Sequence, residues 1–263
     1  MVDTAKAKGI KCSLKFDHYF KIINNKLIYN NKEIKILPKV CFFRANNIVI
    51  AKFLEVNGVK VVNSFKTIYN AKNKFAAYKI LQKHKVLQPK SILYNKQTFQ
   101  QIKSKFNCPF VLKDNCGKRG VGVYLINNAQ EFDTALNEML DKNNILVQEY
   151  IKNSKGKDLR FYIINNKIYG CIIRYNENDF RSNTAQGGKV KQYFATKQEE
   201  LLALNIANLL KLEVGSVDFL IDGKKLLFCE ANTNATFEHF LDLGIQLNQY
   251  IVDYLSFCNK NSV

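Results

Sequence analysis

The sequence predicts a mixed α+β fold, and three observations carry that expectation. Stretches with helical apolar spacing alternate with short strand-like runs along the whole chain. Several of the strand runs are joined by two-residue turns, Asn30-Asn31, Asn165-Asn166 and Asp222-Gly223, as antiparallel hairpins are. Hydrophobic residues make up 47% of the 263 and aromatics 12%, enough for a sizeable core and too much for a disordered chain. Alternating strands and helices alone would suggest a doubly wound parallel sheet. The hairpins turn the expectation towards α+β.

Each element follows from local signals. Residues 2–9 close a helix at Gly9. Residues 12–23 alternate as a strand, and 26–34 form a hairpin arm about Asn30-Asn31. Residues 40–44 are a short apolar strand, 47–56 a helix ending before Gly58, and 59–62 a buried strand. A longer helix is expected over 72–84, with Phe75, Tyr78, Ile80 and Leu81 on its apolar side; Pro89 and Ser91 mark a break. Residues 1–90 therefore read as a small N-terminal α/β domain with a linking helix. The second unit, 91–154, holds a helix at 98–106, strands at 109–113 and 121–126, a helix at 129–140 and a strand at 145–151. The third, 155–263, pairs 159–164 with 167–175, then continues with a helix at 198–210. A second hairpin (217–221 with 225–230) and a closing helix at 246–257 complete it. Internal repeats and low-complexity tracts are absent from the sequence.

Composition excludes several classes of function. No apolar run approaches the roughly 18 residues that span a bilayer, and the first nine residues lack the apolar segment of a secretory signal. The expectation is a soluble cytoplasmic protein with no membrane partner. None of the seven cysteines stands in a CxxC pair, and His18, His84 and His239 are far apart. That disfavours a disulfide framework, a zinc site and a nucleophile–histidine set. The net charge of +18 suits an acidic or nucleic-acid partner. The charge is spread along the chain, however, and an AT-rich coding sequence also gives abundant Lys and Asn and no Trp. Nucleic acid is therefore not required, and homo-oligomer formation stays open.

Against that basic background Arg is rare. Only Arg44, Arg119, Arg160, Arg174 and Arg181 occur among 40 basic residues, four of them between 119 and 181. The planar fork of Arg grips carboxylate or phosphate with two parallel bonds, which Lys cannot do. Arg160, Arg174 and Arg181 are expected to converge on one anionic cleft, the alternative being that they pair with core carboxylates. Gly117, Gly120 and Gly122 lie within six residues beside Lys113, Lys118 and Arg119. Glycines let backbone N–H groups approach phosphate oxygens. The loop precedes a strand and lacks the GxxxxGK[ST] order, so it is either a hairpin folded over a nucleotide or an ordinary flexible hairpin. At the other end, Glu230 and Asn232 are two apart on one strand and share a face, which the hairpin can bring to Asp218. Two carboxylates and an amide suit a hard cation such as Mg²⁺; a polar strand end is the alternative.

The order of these motifs resembles the ATP-grasp superfamily, and within it the branch of the ribosomal-protein glutamate ligase RimK. The resemblance runs from about residue 40 to 254. It is carried by Asn73-Lys74, PFVLKDNCGKRGVGV (109–123), VQEYI (147–151), KDLR (157–160), IIR (172–174), FRSNTAQGG (180–188), GSVDFLI (215–221) and CEANTN (229–234). It implies a small N-terminal domain, a central lid and a C-terminal antiparallel-sheet domain, with ATP between the last two. Lys74 and Lys113 match phosphate-contacting lysines, and Gly117, Gly120 and Gly122 the phosphate-covering loop. Glu149 and Tyr150 match the adenine-holding segment, and Asp158 and Ser182 nucleotide contacts. Arg174, Arg181 and Asn183 match catalytic positions at the transferred phosphate and acyl phosphate. Asp218, Glu230 and Asn232 match ligands of Mg²⁺ or Mn²⁺.

The resemblance further implies a two-step ligase. A carboxylate attacks the γ-phosphate of ATP, and an amine then displaces phosphate from the acyl phosphate, leaving an amide. The carboxylate and amine partners would include an amino acid such as glutamate and a protein or peptide C-terminus. Alternatives are a small-molecule or peptide natural-product ligase, or a basic nucleic-acid- or ribosome-binding protein on the same scaffold. Three features depart from the branch. Asn234-Ala-Thr-Phe237 replaces Ser-Pro-Gly beside the acceptor side, and Lys118 and Arg119 make the glycine loop unusually basic, which suggests an acidic substrate. The chain also begins inside the expected first helix, so either its start is truncated or its N-terminal domain is reduced.

Overall fold

The computed structural model describes residues 1–261. After α1 (Val2–Ala7), β1 (Phe20–Ile23), β2 (Lys26–Tyr29) and β3 (Lys32–Glu33) form a small antiparallel sheet. The strand expected over 12–23 is confined to its last four residues. Residues 11–16 are all exposed, so their alternation has no face to bury, and Asp17–Tyr19 form a 3₁₀ turn. Next, β4 (Val40–Phe42) and β5 (Lys60–Val62) pair in parallel across α2 (Ile48–Val56), whose N-terminus is capped by Asn47.

The helix expected over 72–84 is α4 (Lys74–Lys83), and a further helix not expected from the sequence, α3 (Phe65–Lys72), precedes it. They meet at Asn73, whose extended backbone breaks the helix and whose Oδ1 accepts from Ala76 N–H at 2.8 Å. Asn is a strong N-cap because it competes with the backbone for such bonds, which is why the periodicity does not run through.

The central sheet contains β6 (Ser91–Leu93), β7 (Phe110–Asp114), β8 (Val123–Ile126) and β9 (Ile145–Glu149), in the antiparallel order β6-β9-β7-β8. Alternation decides its faces. Phe110, Leu112, Ile145 and Val147 pack on α5 (Phe99–Phe106) and α6 (Ala129–Glu138) through Ile102, Phe106, Phe132 and Ala135. Val111, Lys113 and Gln148, one residue out of phase, look into a cleft.

The floor of that cleft is a five-stranded antiparallel sheet. It is built from β10 (Lys157–Ile164), β11 (Lys167–Tyr175), β12 (Lys189–Gln192), β13 (Val214–Asp222) and β14 (Lys225–Asn232), ordered β12-β11-β10-β13-β14. One face carries Leu159, Phe161, Ile163, Val217 and Phe219 against α3, α4 and α7 (Lys197–Leu210). On the other face Tyr162, Ile164, Ile172 and Val214 pack with Val62, with Phe240 of α8 (Glu238–Asp242) and with Ile251 of α9 (Leu247–Asn261). Asp158, Arg160, Arg174, Ser216 and Asp218 continue this second face. It is therefore apolar at one end and ionic at the other. Buried Asn63 ties the N-terminal strand pair to the sheet: its Oδ1 accepts from Glu213 and Val214 N–H, and its Nδ2 donates to Val214 C=O at 2.6 Å.

Candidate active site

Cross-strand register builds the ionic floor. Asp158 lies opposite Arg174, Arg160 opposite Asp218, and Asp218 opposite Glu230. Arg160 Nε and Nη2 donate to both oxygens of Asp218 at 2.9 and 2.6 Å. Arg174 donates to both oxygens of Asp158 and, at 3.0 Å, to Asp218 Oδ2. Ser216 Oγ and Asn232 Nδ2 complete the shell of Asp218, which is fully buried. Burial pushes the Asp218 carboxyl up, but the two guanidinium groups outweigh it and hold the carboxyl below its ordinary range. Arg174 stays charged because Asp158 and Asp218 more than offset its own burial. Two acids and two arginines thus form a balanced, desolvated cluster.

The opposite wall is cationic and mostly unpaired. Lys113 is 5% exposed and donates to Gln148 Oε1 at 2.7 Å; Gln148 in turn donates to Ser91 Oγ. Burial, with Lys74 nearby, pulls the Lys113 ammonium below its ordinary value. Lys74 Nζ donates to Gly117 C=O at 2.6 Å and stands 3.9 Å from Glu230 Oε2. Asn115 sets that lysine in place. Its Oδ1 accepts from Phe75 N–H, its Nδ2 donates to Asn73 and Asn144, and its C=O accepts from Lys74 N–H.

The glycine loop joins β7 to β8 and closes onto the segment after β11. Gly120 has φ +73°, a left-handed conformation that favours glycine, and a Cβ there would press on the Asn183 side chain, 2.9 Å from its Oδ1. Arg181 Nη1 donates to Gly120 C=O at 2.8 Å while its other nitrogens hold Asp179. The enclosed space, about 840 Å³ with its open mouth, is lined by the predicted Lys74, Lys113, Gly117, Gly120, Glu149, Tyr150, Asp158, Arg174, Arg181, Ser182, Asn183 and Glu230. Gly122, at φ +66°, anchors the far side of the loop. Its C=O accepts from Asp114 N–H. Val111, Ile151, Leu220 and Phe180 add an apolar edge beside Tyr150, whose ring meets Phe180 edge-on.

One expectation about the arginines needs correction. Arg160 does not reach the cleft; its fork is engaged by Asp218 behind the surface, whereas Arg174 and Arg181 line the space, with Arg119 of the glycine loop. Asp158 lines the cleft as well, and both its oxygens accept from Arg174. Gln148, Asn115 and Phe180 were missed. Gln148 had a signal, a polar residue inside an apolar strand run. Asn115 had none beyond its place in the loop.

The expected cation ligands divide. Glu230 borders the cleft and Asn232 bridges it to Asp218, donating to Glu230 Oε1 at 3.1 Å. These hard oxygen donors fit Mg²⁺. Asp218 does not fit in this arrangement, because five hydrogen bonds occupy its two oxygens.

Known proteins resemble the chain in both sequence and fold. The sequence model of the RimK-like ATP-grasp domain matches residues 71–255. The uncharacterized protein MG012 of Mycoplasma genitalium is 32% identical over 242 residues, covering 87% of this chain and 83% of its own length. A probable alpha-L-glutamate ligase of Saccharophagus degradans is 34% identical over 139 residues, 52% of this chain and 46% of its own. The crystal structure of a RimK domain ATP-grasp protein from Sphaerobacter thermophilus superposes with a TM-score of 0.76 at 16% identity, covering 97% of this chain and 93% of that one. The ATP-grasp ligase PsnB, solved with a minimal precursor, gives 0.72 at 15% identity over 97% and 92%. The architecture is the ATP-grasp fold.

Proposed function

The chain belongs to the RimK-like ATP-grasp family of ATP-dependent ligases that form C–N bonds, and we propose that it joins an amino acid to an acidic or peptide substrate through an acyl phosphate. The observation that carries this reading is the single cleft in which Lys74, Lys113, the glycine loop, Arg174, Arg181 and Glu230 face one space. Lys113 and Lys74 supply charge for the phosphates, and loop N–H groups cover them. Val111, Ile151, Tyr150 and Phe180 form a base-sized apolar edge. Glu230 and Asn232 would hold Mg²⁺, which neutralises phosphate charge when bound. Arg181, braced by Asp179 and Gly120, is positioned for charge that develops on the transferred group. Transfer needs no protein nucleophile: a carboxylate oxygen bonds to the γ-phosphorus as ADP leaves, and an amine nitrogen bonds to the acyl carbon as phosphate leaves. The chain's contribution is positioning and charge stabilisation.

A peptide partner is supported by PsnB, a fold neighbour solved with its precursor, and an amino-acid partner by the glutamate-ligase relatives. Seven free cysteines suit a reducing compartment and hence the cytoplasm. The test is ADP release with a panel of amino acids and acidic peptides. Release should depend on one acid–amine pair and yield their amide. ADP release indifferent to every added pair, together with salt-sensitive RNA binding, would favour the nucleic-acid alternative.

A further inference from the structure

Arg44 stands apart from the arginines that pair with carboxylates. Arg160, Arg174 and Arg181 each bind a carboxylate. Arg44 forms no ion pair with any described residue, yet it is held firmly. Its Nη2 donates to Ala235 C=O at 3.1 Å, and its own C=O accepts from Asn234 Nδ2 at 2.8 Å. Its guanidinium carbon lies 5.7 Å from the Phe42 ring centre and 5.1 Å from that of Phe237. Its buried Nη1 faces the Tyr162 hydroxyl, a neutral group on which the Arg44 charge and side-chain hydrogen bond act against the effect of burial. A half-buried guanidinium fixed by neutral groups keeps its charge for something else, since leaving a desolvated cation uncompensated is unfavourable.

Its surroundings connect it to the cleft. Two residues on, Asn46 Oδ1 accepts from Lys118 Nζ of the glycine loop. Lys118 lines the cleft, and burial with the nearby Lys72 and Arg119 charges pulls its ammonium down, so the region carries excess positive charge. An acid beside it, Asp17, is engaged by Asn46 and Asn47 N–H. Ala235 and Phe237 follow directly on Glu230 and Asn232. Arg44 therefore sits where the N-terminal strand pair, the glycine-loop tip and the segment after β14 meet, outside the nucleotide space. Resting on the ligase reading, we propose that Arg44, seconded by Lys118, is the docking point for a carboxylate of the non-nucleotide substrate, and selects substrates with a negative charge at that end.

The full-length protein loaded with a non-hydrolysable ATP analogue can be titrated calorimetrically with glutamate against its neutral isostere glutamine, and with Glu-Glu against Gln-Gln. The two arms separate a free amino acid from a peptide as the source of the carboxylate. In at least one arm the charged member should bind about 10-fold more tightly or better, as for a charge-assisted forked contact. Arg44→Gln should reduce that preference below about 2-fold, with Arg44→Lys between the two because charge survives without the fork. Affinity for the ATP analogue should stay within about 2-fold, which a merely structural role would not spare. A wild-type protein that does not discriminate in either arm overturns the proposal, as does an Arg44→Gln protein that still does. If Arg44→Gln does not fold, Lys118→Gln on the loop takes its place and should weaken the preference about 3-fold; an unchanged preference would count against the site. Failure of the ligase reading would appear separately, as wild-type ADP release independent of any acid.

Discussion

The floor and the wall of the cleft use positive charge in opposite ways. On the floor Arg160 and Arg174 are buried against Asp158 and Asp218, and every fork is satisfied. On the wall Lys74, Lys113 and Lys118 donate to neutral oxygens of Gly117, Gln148 and Asn46. Here the forked, permanently charged side chain locks a framework, and the flexible ammonium is left for a ligand. Rarity of Arg marked positions that matter, but what it marked at Arg160 was scaffolding.

Breaking the floor should give the largest effect. Asp218→Asn leaves two buried guanidinium groups sharing one acid, Asp158. Urea unfolding should show a loss of about 3–5 kcal/mol, the range for removing one partner of a buried pair. Glu230→Gln is the matched control on the cleft side of the same register pair. It should leave stability within about 0.5 kcal/mol and cut ATP turnover by on the order of 10²–10³. Equal stability of the two variants would show that floor and cleft are not distinct layers.

Arg174 belongs to both regions, since it binds two aspartates and also lines the cleft. Arg174→Lys keeps the charge and loses the fork. A stability loss of about 1–3 kcal/mol is expected, and turnover per folded molecule should fall on the order of 10². Turnover preserved in the folded fraction would assign Arg174 wholly to the floor.

The sequence made this site legible unevenly. Alternation put Glu230 and Asn232 on one face, but the turn alone would set Asp218 opposite Cys229; a β-bulge between Asp218 and Phe219 shifts the register and brings Glu230 opposite Asp218 instead. The glycine loop declared itself by residue type. The partners of Asp218 did not, because which acid an arginine meets depends on strand order, and β10 lying between β11 and β13 is a long-range fact. Residues 11–16 alternate yet are exposed, because pattern alone does not supply a surface to pack on.

The smallest effect is a matter of pH, and it follows from the same contrast. The floor's guanidinium groups cannot lose their protons in any accessible range. The Lys113 ammonium can, because burial holds it below the ordinary lysine value of 10.5. As pH rises through that lowered value Lys113 becomes neutral and loses its attraction for phosphate. The kcat/KM for ATP, which reports the free enzyme, should therefore show an alkaline limb with a midpoint below 10.5. Fold stability should move the other way. A lysine whose folded pKa lies below its unfolded one destabilises the native state while protonated, and that penalty is relieved as pH climbs from the folded value towards 10.5. Lys113→Arg should push the limb upward and remove the opposing stability trend. A limb unmoved by that substitution would take Lys113 out of phosphate binding.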